Sequence, residues 1–274
     1  MLNAGMSVLK RRARGTLERR LPGESVYREN LLLASMPDSE RRRLLGSCES
    51  VDLHFGSVLC RQRTRIRHVY FPTGSVISLL SQVDGRPGLE VGLVGAEGAV
   101  GIALALGVNT APVSLVVQGS GSALRIEAAR FGAELERSAA LRHAISSYLY
   151  VFMSQLAAMA PCARFHMVEA RLARWLLMTR DRAASDDFYL TQEFMAYMLG
   201  VRRVGVTRAA RVLRARRLVS YSRGYINILD VRGLEAASCS CYASGRDTYA
   251  RFMRPGGKLS RSKPPAPNLL RIGS

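Results

Sequence analysis

Short apolar runs broken by glycine, proline and aspartate fill the sequence between about residues 51 and 127. The runs, which recur about every ten residues, are VDLHFG, RHVYFP, SVISLLSQ, LEVGLVG, VSLVVQG and SALRIE. Repeated short runs with turn residues between them predict an antiparallel barrel or sandwich. Ahead of them, Asp38 or Ser39 after Pro37 predicts the start of a short helix, and Gly46 predicts its end.

After Glu127 the apolar positions follow helical periods instead. One segment spaces its apolar residues alternately four and three positions apart, at Leu141, Ile145, Tyr148, Phe152 and Met159, with Gln155 in the remaining slot. Such a seam is typical of two helices packed along their length. It fits a dimer interface and, equally well, a helix that lies on its own barrel. Pro161 predicts the end of this helix or a kink in it.

A second helical segment places Val168, Leu172, Trp175 and Leu176 on one buried stripe. We interpret His166, beside that stripe, as a structural histidine rather than a ligand. The polar segment AASDD then predicts a break before the next helices.

Residues 190–218 predict two helices that cross closely through a short turn. Thr191 is a suitable N-cap for a helix that begins at Gln192, and Gly200 supplies the turn. The predicted inward-facing residues are Met195, Ala196, Leu199, Val201, Val206, Ala209 and Leu213. The spacing is that of a helix-turn-helix.

The second of these helices exposes a basic face made of Arg202, Arg203, Val204, Thr207, Arg208 and Arg211. The first turn of a recognition helix meets base edges in the major groove, where an arginine donates two hydrogen bonds to guanine. Val204 is placed to contact a thymine methyl group, and arginines further along to bind phosphates. The runs LVSYS and YINIL predict a hairpin with Arg223 and Gly224 at its tip. The competing interpretation is a solvated arginine face, such as a subunit contact.

The net charge of the 274 residues is +19. A surplus of this size favours a polyanionic partner, either nucleic acid or an acidic membrane surface; a generally arginine-rich proteome is the alternative. The sequence has no run of eighteen or more apolar residues and no signal-peptide pattern at its start, so we expect a cytoplasmic protein without a membrane partner.

Five cysteines are scattered along the chain, which argues against a disulfide framework. Cys239 and Cys241 form a lone C-x-C pair, and we interpret them as small residues packed at an edge. We expect neither a metal site nor a cofactor, because the N-terminal region has no cluster of cysteines for an iron–sulfur centre.

A β-rich first half, a long helix and a winged helix-turn-helix together resemble the Crp/Fnr family of bacterial transcription regulators. The motifs YFPTGSVISLLS, EVGLVGAEGAVG, RLARWLLMTRDR and LTQEFMAYMLGVRRVGVT carry the resemblance. It implies an α+β fold and a homodimer that binds a palindromic operator. It covers residues 30–242 and implies a cyclic-nucleotide-binding-like jelly roll as sensor (30–136), a dimerisation helix (137–161) and a winged helix-turn-helix (162–242). Outside it, composition predicts a basic disordered extension (1–29) and a basic disordered tail (243–274).

The resemblance also implies roles for individual residues. Arg203 and Arg208 match positions that read bases, whereas Thr191 and Gln192 match positions that contact phosphate. Val204 stands where many members have an acidic residue, so we expect an operator that differs from the family's usual one.

The sensor departs from members that bind cyclic AMP. Those members follow a glycine with glutamate and use an arginine on the cyclic phosphate, but here Ile102 follows Gly101 and no arginine lies between Gly95 and Arg125. We therefore expect no cyclic AMP binding of the usual kind. The candidate effector residues at the rim of the roll are Gly95, Glu97, Gly98 and Gly101.

The sequence predicts a regulator that binds double-stranded DNA as a homodimer, with an unknown effector and RNA polymerase as a further partner. The alternatives are a cyclic-nucleotide-responsive regulator, a charge-driven architectural DNA binder and a nucleotide-gated enzyme. No nucleophile elbow, P-loop or H-E-x-x-H pair is present, so we do not expect an enzyme.

Overall fold

The computed structural model describes residues 29–84 and 88–253. Most of the predicted basic extension (1–29), and residues 254–274 of the predicted tail, lie outside the described residues. Within the part that is described, no helix is both long and apolar enough to cross a lipid bilayer.

Two antiparallel sheets form the N-terminal roll. Its strands are β1 (Glu49–Leu53), β2 (Val58–Cys60), β3 (His68–Pro72), β4 (Val76–Ser81), β5 (Leu89–Val94), β6 (Ser114–Gly119) and β7 (Gly121–Glu127). One sheet has the order β1-β7-β3 and the other the order β2-β6-β4-β5. Leu53, Ile77 and Val117 belong to the apolar cluster inside the roll. The predicted α+β class with a β-rich first half is confirmed; the sequence pattern missed only the three-residue strand β2.

Helices flank the roll in the sequence, and one 3-10 turn lies within it, between β5 and β6. They are α1 (Leu31–Ala34), α2 (Asp38–Gly46), a 3-10 turn (Ile102–Leu106), α3 (Ala128–Arg137) and the long helix α4 (Ala139–Phe165). Helix α2 begins and ends at the predicted residues. Helix α4 begins where Ser138 accepts a hydrogen bond from the backbone N–H of Leu141 at 3.0 Å. Of the two predicted effects of Pro161, the end of the helix is excluded, because α4 continues for four residues beyond it.

The predicted seam of α4 packs on the chain's own body. Leu141, Ile145 and Tyr148 are at most 3 % exposed and share one apolar cluster with Phe71 and Phe131. The prediction is therefore corrected for three of the six interface residues, and the role of the other three stays a prediction. The three buried ones are unavailable to a partner chain, and Phe152, Gln155 and Met159 are half-buried on the same side of the helix. Of the two interpretations left open by the pattern, the structure favours a helix lying on its own roll.

The C-terminal part consists of α5 (Val168–Ala183), β8 (Asp187–Tyr189), α6 (Gln192–Leu199), α7 (Arg203–Ala215), β9 (Val219–Ser222), β10 (Tyr225–Ile228) and α8 (Val231–Ala237). The stripe of Leu172, Trp175 and Leu176 is buried as predicted. Its cluster also includes Leu80 and Val116 of the roll, so the two halves pack against each other.

A last helix, α9 (Cys241–Met253), occupies part of the predicted tail. It packs along α4, where the rings of Tyr150 and Phe252 lie 4.5 Å apart. Met253 belongs to the same buried cluster as the α4 seam. The expectation of a disordered tail is therefore corrected for residues 243–253, because their apolar side of the helix is covered by α4.

Candidate nucleic-acid interface

The turn between α6 and α7 has the geometry that the sequence predicts. The Thr191 hydroxyl accepts a hydrogen bond from the backbone N–H of Phe194 at 3.1 Å and so caps α6. Gly200 is left-handed, with φ +63°. A Cβ there would lie 2.6 Å from the end of the Leu89 side chain, which can shift, so the left-handed backbone is the main reason for glycine.

The two helices are held from below by a shared core. Met195, Leu199, Val206 and Leu213 are at most 3 % exposed. The buried guanidinium of Arg171 on α5 donates a hydrogen bond to the carbonyl of Leu199 at 2.6 Å. This bond satisfies an orphan carbonyl at the end of α6, which makes the position of the turn depend on α5.

The outer face of α7 is basic and exposed. Arg202, Arg203, Arg208 and Arg211 are all exposed, and none of them forms an ion pair with an acidic residue within the described part of the chain. Val204 is 66 % exposed in the first turn. Four unpaired guanidinium groups and one exposed methyl-bearing side chain on a single helix face are suited to the base edges and phosphates of a DNA groove.

Three of the residues predicted to contact DNA also have structural roles: Thr207, Gln192 and Thr191. The Thr207 hydroxyl lies 2.6 Å from Gln192 Oε1, which joins the first turns of α6 and α7. Thr191 and Gln192 are half-buried at the start of α6. Because Thr191 Oγ1 accepts the capping bond, its own proton stays available for a phosphate oxygen.

The predicted hairpin forms a small three-stranded wing with the order β8-β10-β9. Arg223 and Gly224 are its two turn residues, with φ of 50° and 89°. Two consecutive positive φ angles define the type I′ turn, whose twist matches that of the strands. Arg223 is exposed at the tip. The third strand, β8, was not predicted from the sequence.

The candidate effector residues at the rim of the roll contact the chain's own helices. Glu97 Oε1 lies 2.8 Å from Arg182 Nε of α5, and Glu97 Oε2 accepts a bond from the N–H of Gly95 at 3.0 Å. A Cβ on Gly98 would lie 2.0 Å from the hydroxyl oxygen of Tyr148. Gly101 is left-handed, with φ +84°, and a Cβ there would lie 2.5 Å from the carbonyl oxygen of His68. In this conformation, these residues fix the rim to α4 and α5.

A buried carboxyl group, which was not predicted from the sequence, also joins the roll to α5. Glu90 of β5 accepts hydrogen bonds from Trp175 Nε1 and from the Ser78 hydroxyl, each at 2.7 Å. Burial raises the pKa of Glu90 to about 7, although these two hydrogen bonds act in the opposite direction. The contact between the two halves therefore includes a group that titrates near neutral pH.

Comparison with known proteins adds to this geometry. Residues 170–237 match the family model of the Crp-like helix-turn-helix domain. No curated protein matches the chain as a sequence.

Many solved structures share the fold, and three of them are as follows. The c-di-GMP-responsive global regulator CLP of Xanthomonas campestris is 17% identical, with 70% of this chain and 99% of that chain covered and a TM-score of 0.58. FixK2 of Bradyrhizobium japonicum is 10% identical, with coverages of 70% and 98% and a TM-score of 0.61. A transcriptional regulator of the CRP family from Thermus thermophilus is 15% identical, with coverages of 69% and 96% and a TM-score of 0.58.

Proposed function

We propose that this chain, a DNA-binding transcription regulator of the Crp/Fnr family, binds a two-fold symmetric operator as a homodimer. The observation that carries the proposal is the basic outer face of α7, which stands on a tightly packed turn and has no acidic partner within the described residues. Its arginines are exposed. Here they line the side that a major groove would meet.

Individual roles follow from position along α7. Arg203, in the first turn, is placed to read a base edge. Arg208 lies a little more than one turn further on and reads a second base, while Arg211 and Arg202 bind phosphates. Arg223 at the wing tip reaches a flanking phosphate.

The dimer contact uses the side of α4 that faces away from the roll. Its residues recur alternately four and three positions apart: Ser146, Tyr150, Met153, Ala157, Ala160 and Arg164. Tyr150 is 51 % and Met153 is 63 % exposed, which is unusual for large apolar side chains on one stripe. Alanines at two of these positions allow a second α4 to approach closely. A symmetric second copy of this chain is therefore the proposed occupant, and α9 borders the contact through Phe252.

A cytoplasmic location and a contact with RNA polymerase belong to the same proposal. So does regulation through the roll by a ligand other than cyclic AMP bound in the usual way, because the roll lacks the required arginine. We propose no catalytic activity.

The test is selection of bound duplexes from a random DNA pool by the purified full-length protein at physiological salt. We expect a palindromic motif whose half-sites lie about one helical turn apart. Binding without any enriched motif, together with a steep fall in affinity as salt rises, would instead support the charge-driven architectural binder.

A matched control distinguishes base recognition by Arg203 from the effect of its positive charge. A variant with lysine at Arg203 keeps the positive charge but loses the planar two-donor fork that guanine accepts. Because lysine can also donate to guanine, unchanged base preference both in this variant and in Arg203→Ala would remove Arg203 from the residues that read sequence.

A further inference from the structure

Three cysteines and one histidine converge where the long helix meets the helix-turn-helix. Their ligand atoms all lie within 4.8 Å of one another, and the residues are Cys162, His166, Cys239 and Cys241. The sulfurs of Cys162 and Cys239 are 3.7 Å apart, and the Cys241 sulfur is 3.6 Å from His166 Nδ1. A tetrahedral zinc ion with Zn–S of about 2.3 Å and Zn–N of about 2.0 Å requires ligand–ligand distances of roughly 3.5–3.8 Å. Both distances fit.

The local structure explains the convergence. Cys162 lies in the last turn of α4 and His166 follows that helix directly, so the two are four residues apart on the same side. Cys239 and Cys241 flank a single residue at the start of α9. The backbone N–H of Cys239 donates to the carbonyl of Ala170, near the start of α5, at 3.4 Å. Three helices therefore meet at this cluster.

The charges around the cluster indicate an anionic centre. Arg171 and Arg174 are 8 % and 7 % exposed, and both interact electrostatically with the cysteines. The guanidinium nitrogens of Arg174 contact only the thioether sulfurs of methionines, at 3.6–3.7 Å, and the Nε groups of both arginines have no hydrogen-bond partner within the described residues. Buried cations require a compensating charge. Three thiolates on a divalent ion carry one net negative charge, which offsets one of the two guanidinium charges.

We propose that Cys162, His166, Cys239 and Cys241 bind one Zn²⁺ ion as a Cys3His structural site. The four protein ligands complete the tetrahedron, so the ion has no open position for catalysis. The site joins the end of α4, the start of α5 and the start of α9. It fixes the orientation of the DNA-reading domain on the helix that carries the proposed dimer contact.

A disulfide is the main competing state of the same cysteines. Bond formation between Cys162 and Cys239 would require their sulfurs to move from 3.7 Å to about 2.05 Å. It would also leave Cys241 and His166 without a shared role and would remove the anionic centre beside Arg171 and Arg174, which would leave the Glu90 carboxyl to interact with Arg174. Zinc accounts for all four side chains and offsets part of the charge of the two arginines.

The experiment measures metal content in the full-length protein, purified under reducing conditions, stripped with a chelator, reloaded with zinc sulfate and freed of excess. We expect one zinc ion per chain by elemental analysis. Replacement with Co²⁺ should give the visible absorption of a tetrahedral thiolate site. The variants Cys241→Ser and His166→Gln should lose stoichiometric zinc, whereas Cys60→Ser, which removes a thiol outside the site, should retain it.

Several outcomes would overturn the proposal. They are a wild-type protein that binds no zinc after reloading, full zinc content in both site variants, and a Cys162–Cys239 disulfide found by peptide mapping of the protein as purified. Circular dichroism verifies that each variant is folded. Since the two variants alter different helix ends, a folding defect in one leaves the other as the test. The readout is independent of operator binding, so failure of the proposed function would not affect it.

Discussion

Replacement of Glu90 with glutamine should change how stability depends on pH. In the folded protein the carboxyl group lies between β5 and α5, is 5 % exposed and has a pKa of about 7, compared with 4.5 for the ordinary group. A difference of about 2.5 units corresponds to about 3 kcal/mol, at 1.36 kcal/mol per unit. Because the folded pKa is raised, the contribution is fully present below pH 4.5. It is lost as the pH rises through about 7.

The assay is urea unfolding at several values between about pH 5 and pH 8. The chain has one tryptophan, and it is Trp175, the hydrogen-bond partner of Glu90, so fluorescence reports directly on this contact. Glutamine keeps the acceptor oxygen but does not ionise. We expect the stability of the wild type relative to the variant to fall by about 2–3 kcal/mol over this range.

Glu49→Gln is the matched control. Glu49 is exposed, and its ion pair with Arg125 lowers its pKa. Its contribution is therefore lost only as the pH falls below the range of the assay. Parallel pH profiles for the wild type and the Glu90 variant would refute the reasoning, because they would mean that Glu90 titrates normally in the folded state.

Three further experiments, with five substitutions in all, test the DNA interface, the dimer contact and the packing at the rim. Arg203→Ala should relax preference at one operator position by about 1–3 kcal/mol in selection experiments, whereas Arg211→Ala should weaken binding to all sequences and lower the salt dependence by about one unit. Met153→Glu should give monomers by sedimentation, since two carboxylates would face each other across the symmetry axis; a persistent dimer would exclude the exposed face of α4. Gly98→Ala should cost about 1–3 kcal/mol through the clash with a buried tyrosine, while Gly132→Ala, in open space on a helix, should gain up to about 1 kcal/mol. Thermal unfolding of both variants would detect the difference, and equal effects would contradict it.

The helix-turn-helix could be predicted because its determinants are local. Its features lie within one short stretch: a cap at Thr191, a left-handed glycine at Gly200 and helical spacing of Val206 and Leu213. Few other local structures require these features together. The hairpin at Arg223 is equally local. Strand β8 was missed because three residues without alternation carry no pattern.

The surfaces that helix α4 contacts could not be read from its pattern. Apolar spacing at Leu141, Ile145 and Tyr148 indicates that one face is covered, but not by what. The roll covers it, and the opposite face combines small and polar residues with two large apolar side chains, Tyr150 and Met153. Helix α9 did leave a signal, since Tyr242, Tyr249 and Met253 are spaced seven and four residues apart.

The cysteine cluster could not be predicted from the sequence for a different reason. Cys162 and Cys239 are 77 residues apart in the chain, so their meeting depends on the packing of three helices. The sequence interpretation of the C-x-C pair, as small residues packed at an edge, leaves out His166, whose Nδ1 lies 3.6 Å from the Cys241 sulfur in the structure. The spacing of Cys162 and His166, four residues apart at the end of a helix, was the available clue.

The contacts that hold the rim loop at Glu97 determine how much free energy an effector needs to open it. Its side chain pairs with Arg182 of α5, its carbonyl oxygen accepts a bond from the Tyr249 hydroxyl of α9 at 2.9 Å, and the adjacent Gly98 lies against Tyr148 of α4. If each contact contributes about 1 kcal/mol, a ligand that required this loop to open would lose roughly 100-fold in apparent affinity. By reciprocity, anything that frees these three helices would make the loop easier to open. DNA and effector would then affect each other's affinity through one small set of contacts. Whether they compete or cooperate would depend on which helix arrangement the operator prefers.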